Sequence, residues 1–180
     1  RSGLTVAIDP VALAAALIAV PSVTPATGAV FDVLEEALGP FGFAIHRFTR
    51  GEAPDGPVEN LVAIRGNGAP HFGFAGHLDV VPPGEGWTGD PFVPCIEDGF
   101  LTGRGANDMK SAIAAFVAAM SGAQVAVVVP TTLLARQHYR TFSKRFEGLP
   151  IRVEQLSRMV TAKDAAETKK GLANGQVNII

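Results

Sequence analysis

Between Ser111 and Ala135 the chain carries no charged side chain. A stretch of that length with so little to hold it in water must be covered, either by lipid or by the rest of the protein. Its internal periods separate the two. Met109, Ile113, Phe116, Val117 and Met120 recur on one face of a helix, Ser121-Gly122 supplies a turn, and Val125 to Val129 is a β-branched run closed by Pro130. A helix, a turn and a buried parallel strand account for the missing charges without the unbroken apolar span that a bilayer crossing requires. No membrane span is expected.

The same alternation extends in both directions. Asp9-Pro10 reads as an N-cap with proline in the first helical position, opening a short helix that ends at Pro21. A second helix is expected from about Gly28 to Leu38, stopped by Gly39-Pro40, followed by strands at Phe43 to Phe48, Asn60 to Ile64 and Phe72 to Val80. Pro82 to Gly99 reads as a long loop. Beyond Ser121 the order is strand (Gln124 to Val129), helix (Thr131 to Phe146), strand (Ile151 to Gln155), helix (about Ala162 to Leu172) and strand (Val177 to Ile180). The reading is α/β: three layers with a mainly parallel mixed sheet, which the C-terminal βαβαβ continues, and Val125 to Val129 as an inner strand.

With 180 residues, 47% of them hydrophobic and 18% charged, the chain is expected to form one domain over 1–180 whose core needs no staples. A single cysteine, Cys95, excludes an internal disulfide, and nothing at the start reads as a leader, so a cytoplasmic location is expected. Arg1 at one end and the apolar run Val177 to Ile180 at the other look like cuts in a longer chain. The net charge of −2 hides an asymmetry. Residues 1–119 carry 6 Lys and Arg against 13 Asp and Glu, a net of −7, whereas residues 120–180 carry 9 against 4, a net of +5. Two segments of different history are suggested, 1–119 and 120–180, the second the more comfortable near phosphate.

Two constellations carry chemistry. In Gly76-His77-Leu78-Asp79 the period of two points His77 and Asp79 to one side of an extended segment. A metal-binding imidazole needs its second nitrogen held by a carboxylate or carbonyl, which Asp79 could supply. On spacing alone, His-x-Asp is more often a hydrogen-bonded pair at a strand end. In the second, Arg136, Arg140 and Lys144 recur at i, i+4 and i+8 behind Thr131-Thr132 at a helix start. Taken by itself, the basic row is either a phosphate track or a solvated face, the second being the commoner.

The runs GHLDVVPPG (76–84) and WTGDPFVPCIEDGFLTGRGANDMK (87–110) resemble the zinc-dependent aminoacylase and carboxypeptidase family, within it the succinyl-diaminopimelate desuccinylases of lysine biosynthesis, over about residues 4–119. That resemblance implies His77 as a ligand of one metal, Asp79 as the group orienting its ring, and Asp108 as a carboxylate bridging two zinc ions. It also implies a Glu-Glu pair about 34 residues beyond Asp108, general base then ligand. Positions 138–146 read HYRTFSKRF and supply none. The expectation is therefore a metal-binding hydrolase-like chain without its general base, holding zinc weakly or not at all and without turnover.

From about Ala118 the runs VPTTLLARQHY and LSRMVTAKDAAETKKGL resemble the first motor domain of the transcription-repair coupling factors, bacterial DNA translocases. The resemblance implies weak, non-specific DNA contact through Thr131, Thr132, Arg136, Arg140 and Lys144. A GxxxxGK[ST] loop is absent, its place taken by GRGANDMKSA, so no ATP is expected. Read together, the two resemblances describe a chimera joined near Ala114 to Met120. Three functions stay open: an incomplete desuccinylase-like amidohydrolase, a nucleic-acid-binding translocase fragment, or a folded scaffold without function.

Overall fold

The computed structural model describes residues 8–54, 56–68, 73–122, 124–148 and 150–180. The chain forms two compact units, one of residues 1–67 with 75–117 and one of 68–74 with 118–180.

The first unit is built on two helices. Helix α1 (Pro10–Ala19) starts where Asp9 accepts a hydrogen bond from the Val11 N–H at 2.8 Å, with Pro10 in the first turn. Its residues Leu13, Ala14, Leu17 and Ile18 fall on one stripe and are buried. Helix α2 (Ala29–Leu38) buries Val30, Phe31 and Leu38. All of these side chains except Ile18 cluster with Leu78, Ile113, Ala114 and Val117, the last three from helix α3 (Ser111–Met120). Each large apolar side chain so covered is worth about 1.5–3 kcal/mol. The core is thus a three-helix cluster into which the segment carrying His77 and Asp79 inserts Leu78.

Strands β1 (Ala44–Arg50) and β2 (Val58–Ile64) form an antiparallel pair in the register Ala44 opposite Ile64 through Arg50 opposite Val58. Arg47 ties this hairpin to α2: its guanidinium pairs with Asp32 and Glu59, reaches Glu35 at 3.4 Å, and lies over the Phe31 ring. Glu59 also accepts the Gly28 N–H at 2.7 Å. Gly28, at φ +64°, is the N-cap of α2, so an anion sits at the positive end of that helix.

Within the segment read as a loop, β3 (Cys95–Glu97) and β4 (Phe100–Thr102) make a second antiparallel hairpin. Its turn is Asp98-Gly99, both at positive φ (51° and 81°). Asp-Gly between alternating residues is a strong two-residue turn signal, because such turns need left-handed backbone at both central positions.

In the second unit α4 (Thr132–Arg145) and α5 (Ala162–Ala173) match the expected helices within a residue or two. Among the described residues the three segments expected as strands pair through isolated parallel bridges, Val125 to Ile179 and Val153 to Ile179, and not as a ladder. Their direction is that of a βαβαβ unit, but the inner position belongs to Ile179. Among the described residues Val125 to Val129 lies on the outside of the trio, with Val128 92% exposed, rather than at the inner position expected of it. The β-branched run gave the extended conformation; its place in the order was set by which segment could hydrogen-bond on both sides.

Other expectations change as well. Phe72 lies outside the described residues, and 73–79 joins no ladder; only Val80 pairs, in a parallel bridge with Val23. Both named two-stranded sheets are antiparallel, and parallel pairing occurs only at isolated bridges, so the fold is mixed α/β with small sheets among the described residues rather than one mainly parallel sheet. An apolar run sets an extended backbone, but a ladder needs a partner of matching register, and that is a non-local property. Among the described residues no helix is long and apolar enough to cross a membrane.

Candidate metal centre

Three segments of the first unit meet at the candidate site. The 77–80 segment is strapped to residues 22–24: the Val80 N–H donates to the Ser22 carbonyl at 2.9 Å and the Thr24 N–H donates to the Val80 carbonyl at 3.0 Å. Buried Ser22 adds its hydroxyl to the Leu78 carbonyl at 2.9 Å. Leu78 is turned to the core, whereas His77 and Asp79 line the cavity, as the period of two requires.

The third segment is the irregular turn Ala106–Lys110, where Asp108 (φ −130°, ψ 95°) and Met109 (φ −132°, ψ 31°) leave helical geometry before α3 begins. It is held from below by Lys110, fully buried, whose ammonium donates to the carbonyls of Leu17 (2.6 Å) and Val20 (3.3 Å) at the C-terminal end of α1. Burial pushes this amine down to about 8. A cation is well placed where a helix exposes its last carbonyls. Gly105, at φ +88°, passes so close that a Cβ there would lie 2.8 Å from Val80 Cγ1 and 3.1 Å from Lys110 Cδ.

The result is a cavity of about 440 Å³ lined by Thr24, His77, Asp79, Trp87, Arg104 and Asp108 among others. His77 lies between two acidic residues. Its Nε2 is 3.0 Å from Asp108 Oδ1, and its Nδ1 is 3.0 Å from the Asp79 carbonyl and 3.2 Å from Asp79 Oδ1. The hydrogen bond to the Asp79 carbonyl is the main reason that the imidazole holds its proton above the ordinary histidine range, against partial desolvation and with Asp108 adding to the effect. The Asp108 side chain is 84% exposed and that of His77 47%. The rim is fixed by Arg104, which donates to the carbonyls of Val81 (2.9 Å) and Pro82 (2.5 Å), and by the Trp87 indole N–H on the Pro83 carbonyl (3.0 Å).

His77, Asp79 and Asp108, the residues read from the sequence, are thus in one place, though the His77–Asp79 segment and the Asp108 turn join no sheet edge. The donor set suits a borderline cation. One imidazole nitrogen and a carboxylate converge, and the other nitrogen is engaged by Asp79, which fixes the ring as metal-bound histidines require. Two donors fall short of the four of a closed zinc site, and among the described residues no group of three or more His, Cys, Asp and Glu could hold an ion. Position 142, where the family resemblance expects a glutamate base, is a phenylalanine packed between His138 and Phe146 on α4.

The sequence reading did not single out Ser22, Thr24, Arg104 or Lys110. Lys110 left a trace: it stands in helical phase with Ile113, Ala114 and Val117, all buried, which marks a lysine on the core face. The others act through backbone carbonyls or a non-local carboxylate and leave no local pattern.

The basic row lies in the other unit. Arg136, Arg140 and Lys144 are exposed on α4, and no ion pair among the described residues involves them. Thr131 uses its hydroxyl to accept the Leu134 N–H at 3.2 Å, capping its own helix, and Thr132 begins that helix.

Residues 73–133 match the model of peptidase family M20/M25/M40. The chain is 70% identical over 119 residues to a succinyl-diaminopimelate desuccinylase of Sphingopyxis alaskensis, covering 66% of this chain and 32% of that protein. The desuccinylases of Zymomonas mobilis (58% over 118 residues, 66% and 31%) and Caulobacter vibrioides (53% over 120 residues, 66% and 30%) are similar to it in the same way. The chain spans about a third of the length of these curated relatives. Its fold is similar to that of human carnosine dipeptidase 1, with a TM-score of 0.52 at 22% identity over 80% of this chain and 37% of that one. About two thirds of the chain is therefore a desuccinylase-like region of M20 peptidase type. None of these comparisons points to a translocase.

Proposed function

We propose that this chain carries part of the metal centre of a zinc-dependent, desuccinylase-like amidohydrolase, with His77 and Asp108 as ligands and Asp79 as the residue that orients His77. The supporting observation is the imidazole held at 3.0 Å on one nitrogen by the Asp79 carbonyl and facing Asp108 at 3.0 Å with the other. Bound there, zinc would supply a Lewis acid for an amide carbonyl and acidify a water. The protein's own part is to present one nitrogen and one carboxylate oxygen, to fix the ring through Nδ1, and to shape the cavity wall through Arg104 and Trp87. Proton transfer from water needs a positioned base, which neither Phe142 nor its neighbour Ser143 can be. On this reading the chain by itself binds metal weakly and does not turn over an N-acyl amino acid.

Zinc content of the purified protein tests the reading. Binding that His77→Ala and Asp108→Asn both abolish supports it, and binding indifferent to both refutes it.

Residues 120–180 we read as a segment with at most weak contact to nucleic acid. Thr131 is spent on capping, and the exposed row Arg136, Arg140 and Lys144 offers at most a few phosphate contacts. DNA affinity is then weak and falls with salt at a log–log slope of about −3. An anisotropy titration with duplex DNA checks this, and binding that persists at moderate salt contradicts it. A single, exposed Cys95 agrees with a reducing compartment.

A further inference from the structure

Asp79 meets His77 through its backbone carbonyl and also through its carboxylate, and the second contact is constant only if the carboxylate is held. The torsion that turns a carboxylate about its last bond is broad, so neither rotamer preference nor packing on an open cavity wall fixes it; hydrogen-bond partners must. The His77 Nδ1–H meets two acceptors of the same residue, the Asp79 carbonyl at 3.0 Å and Asp79 Oδ1 at 3.2 Å. How that one hydrogen is shared depends on where Oδ1 lies, and therefore on what holds Oδ2. In the structure Oδ2 accepts from the Thr24 hydroxyl at 2.5 Å, the short distance expected of a hydroxyl on an ionised carboxylate. Thr24 is well placed for this. Its N–H donates to the Val80 carbonyl, so the backbone bearing the hydroxyl is pinned beside the residue that it serves.

We propose that Thr24 is a positioning residue of the metal centre, fixing the Asp79 carboxylate so that the His77 ring presents Nε2 toward Asp108. The inference rests on the metal reading for its consequence but not for its geometry. Ser22 is the natural contrast. It sits in the same strap, but its hydroxyl goes to the Leu78 carbonyl and to no group of the centre.

The experiment uses the whole chain with zinc as the probe. Zinc affinity is measured by competition with a chromophoric chelator for wild type, Thr24→Val, Thr24→Ser, Ser22→Ala and His77→Ala. Long-range ¹H–¹⁵N spectra of the histidine rings are recorded on the metal-free proteins other than His77→Ala. Partners that touch a ligand directly are worth about 10- to 100-fold in metal affinity, and a group one step further out is expected to be worth about 3- to 10-fold. Thr24→Val should weaken zinc by that factor and shift the His77 Nδ1 resonance. Thr24→Ser, which keeps the hydroxyl, should do neither. Ser22→Ala should lower the melting temperature while leaving zinc affinity within about twofold of wild type.

Wild-type affinity and unmoved His77 resonances in Thr24→Val overturn the proposal. So does an equal loss in Ser22→Ala, which would mean general loosening of the strap. If wild type and His77→Ala bind zinc alike, the metal reading fails by itself, and the metal-free spectra of Thr24→Val still decide whether Thr24 positions the ring.

Discussion

Replacing Glu59 by glutamine removes one charge from the contact that ties α2 to the β1–β2 hairpin, and its cost can be worked from the contacts. Glu59 accepts the Gly28 N–H at 2.7 Å and the Arg47 Nε–H at 2.7 Å, and pairs with a second nitrogen of Arg47. Its side chain is 15% exposed and that of Arg47 26%, so both are only partly screened by solvent. A hydrogen bond to a charged group contributes about 1.5–3 kcal/mol. Two such contacts, discounted because glutamine keeps a carbonyl acceptor and Arg47 keeps Asp32 and Glu35, give a loss of about 2 kcal/mol at pH 7. That corresponds to roughly 4–8 °C in melting temperature for a chain of this size.

The pH dependence gives a sharper test. The Gly28 N–H first, and then the Arg47 side chain, hold the Glu59 carboxyl below its ordinary value of 4.5. A carboxyl depressed by folding stabilises at pH values above the unfolded one, and that stability disappears as pH falls through the folded value. The difference between wild type and Glu59→Gln should therefore be complete at pH 6–7 and shrink steadily below about 4.5, as the wild type becomes as neutral as the variant. Urea melts at a series of pH values measure it. A difference that stays constant down to acid pH, or that is absent at neutral pH, would refute the assignment of Glu59 as a charged cap and clamp.

Other outcomes follow from the site. Gly105→Ala should destabilise by about 2–4 kcal/mol in a urea melt, because φ +88° disfavours any side chain and the new methyl group meets Val80 and Lys110. Lys110→Met keeps the stem but leaves the Leu17 and Val20 carbonyls without their donor; a loss of about 1–3 kcal/mol is expected, with slowed hydrogen exchange at the end of α1 counting against it. Hydrolysis of N-succinylated diamino acids, followed by amine release with added zinc, should not exceed that of His77→Ala, since a positioned base alone contributes about 10²- to 10⁴-fold. Turnover above that control would reveal a base elsewhere in the chain.

Much of the local structure was legible in the sequence. Asp9-Pro10 starts α1 because a carboxylate can accept a free N–H where proline lacks one, and Thr131 and Thr161 cap α4 and α5 in the same way. Spacing marked His77 and Asp79 as a pair, whereas Asp108 was marked only by the family resemblance. What escaped was pairing. Val125 to Val129 and Ile151 to Gln155 are extended in composition, yet among the described residues each makes only an isolated bridge to Ile179 and a few backbone hydrogen bonds to residues 178–180, and 73–79 is held by a strap from residues 22–24 instead of a ladder. A side chain's preference for extended backbone acts within a few residues; a partner's register depends on closing a loop of fifty or more, as from Thr24 to Asp79. For the same reason a motif could mark His77 and Asp108 as candidates, while the residues that surround them could be found only in the folded chain: Thr24 on the Asp79 carboxylate, Lys110 under the Asp108 turn and Arg104 on the rim.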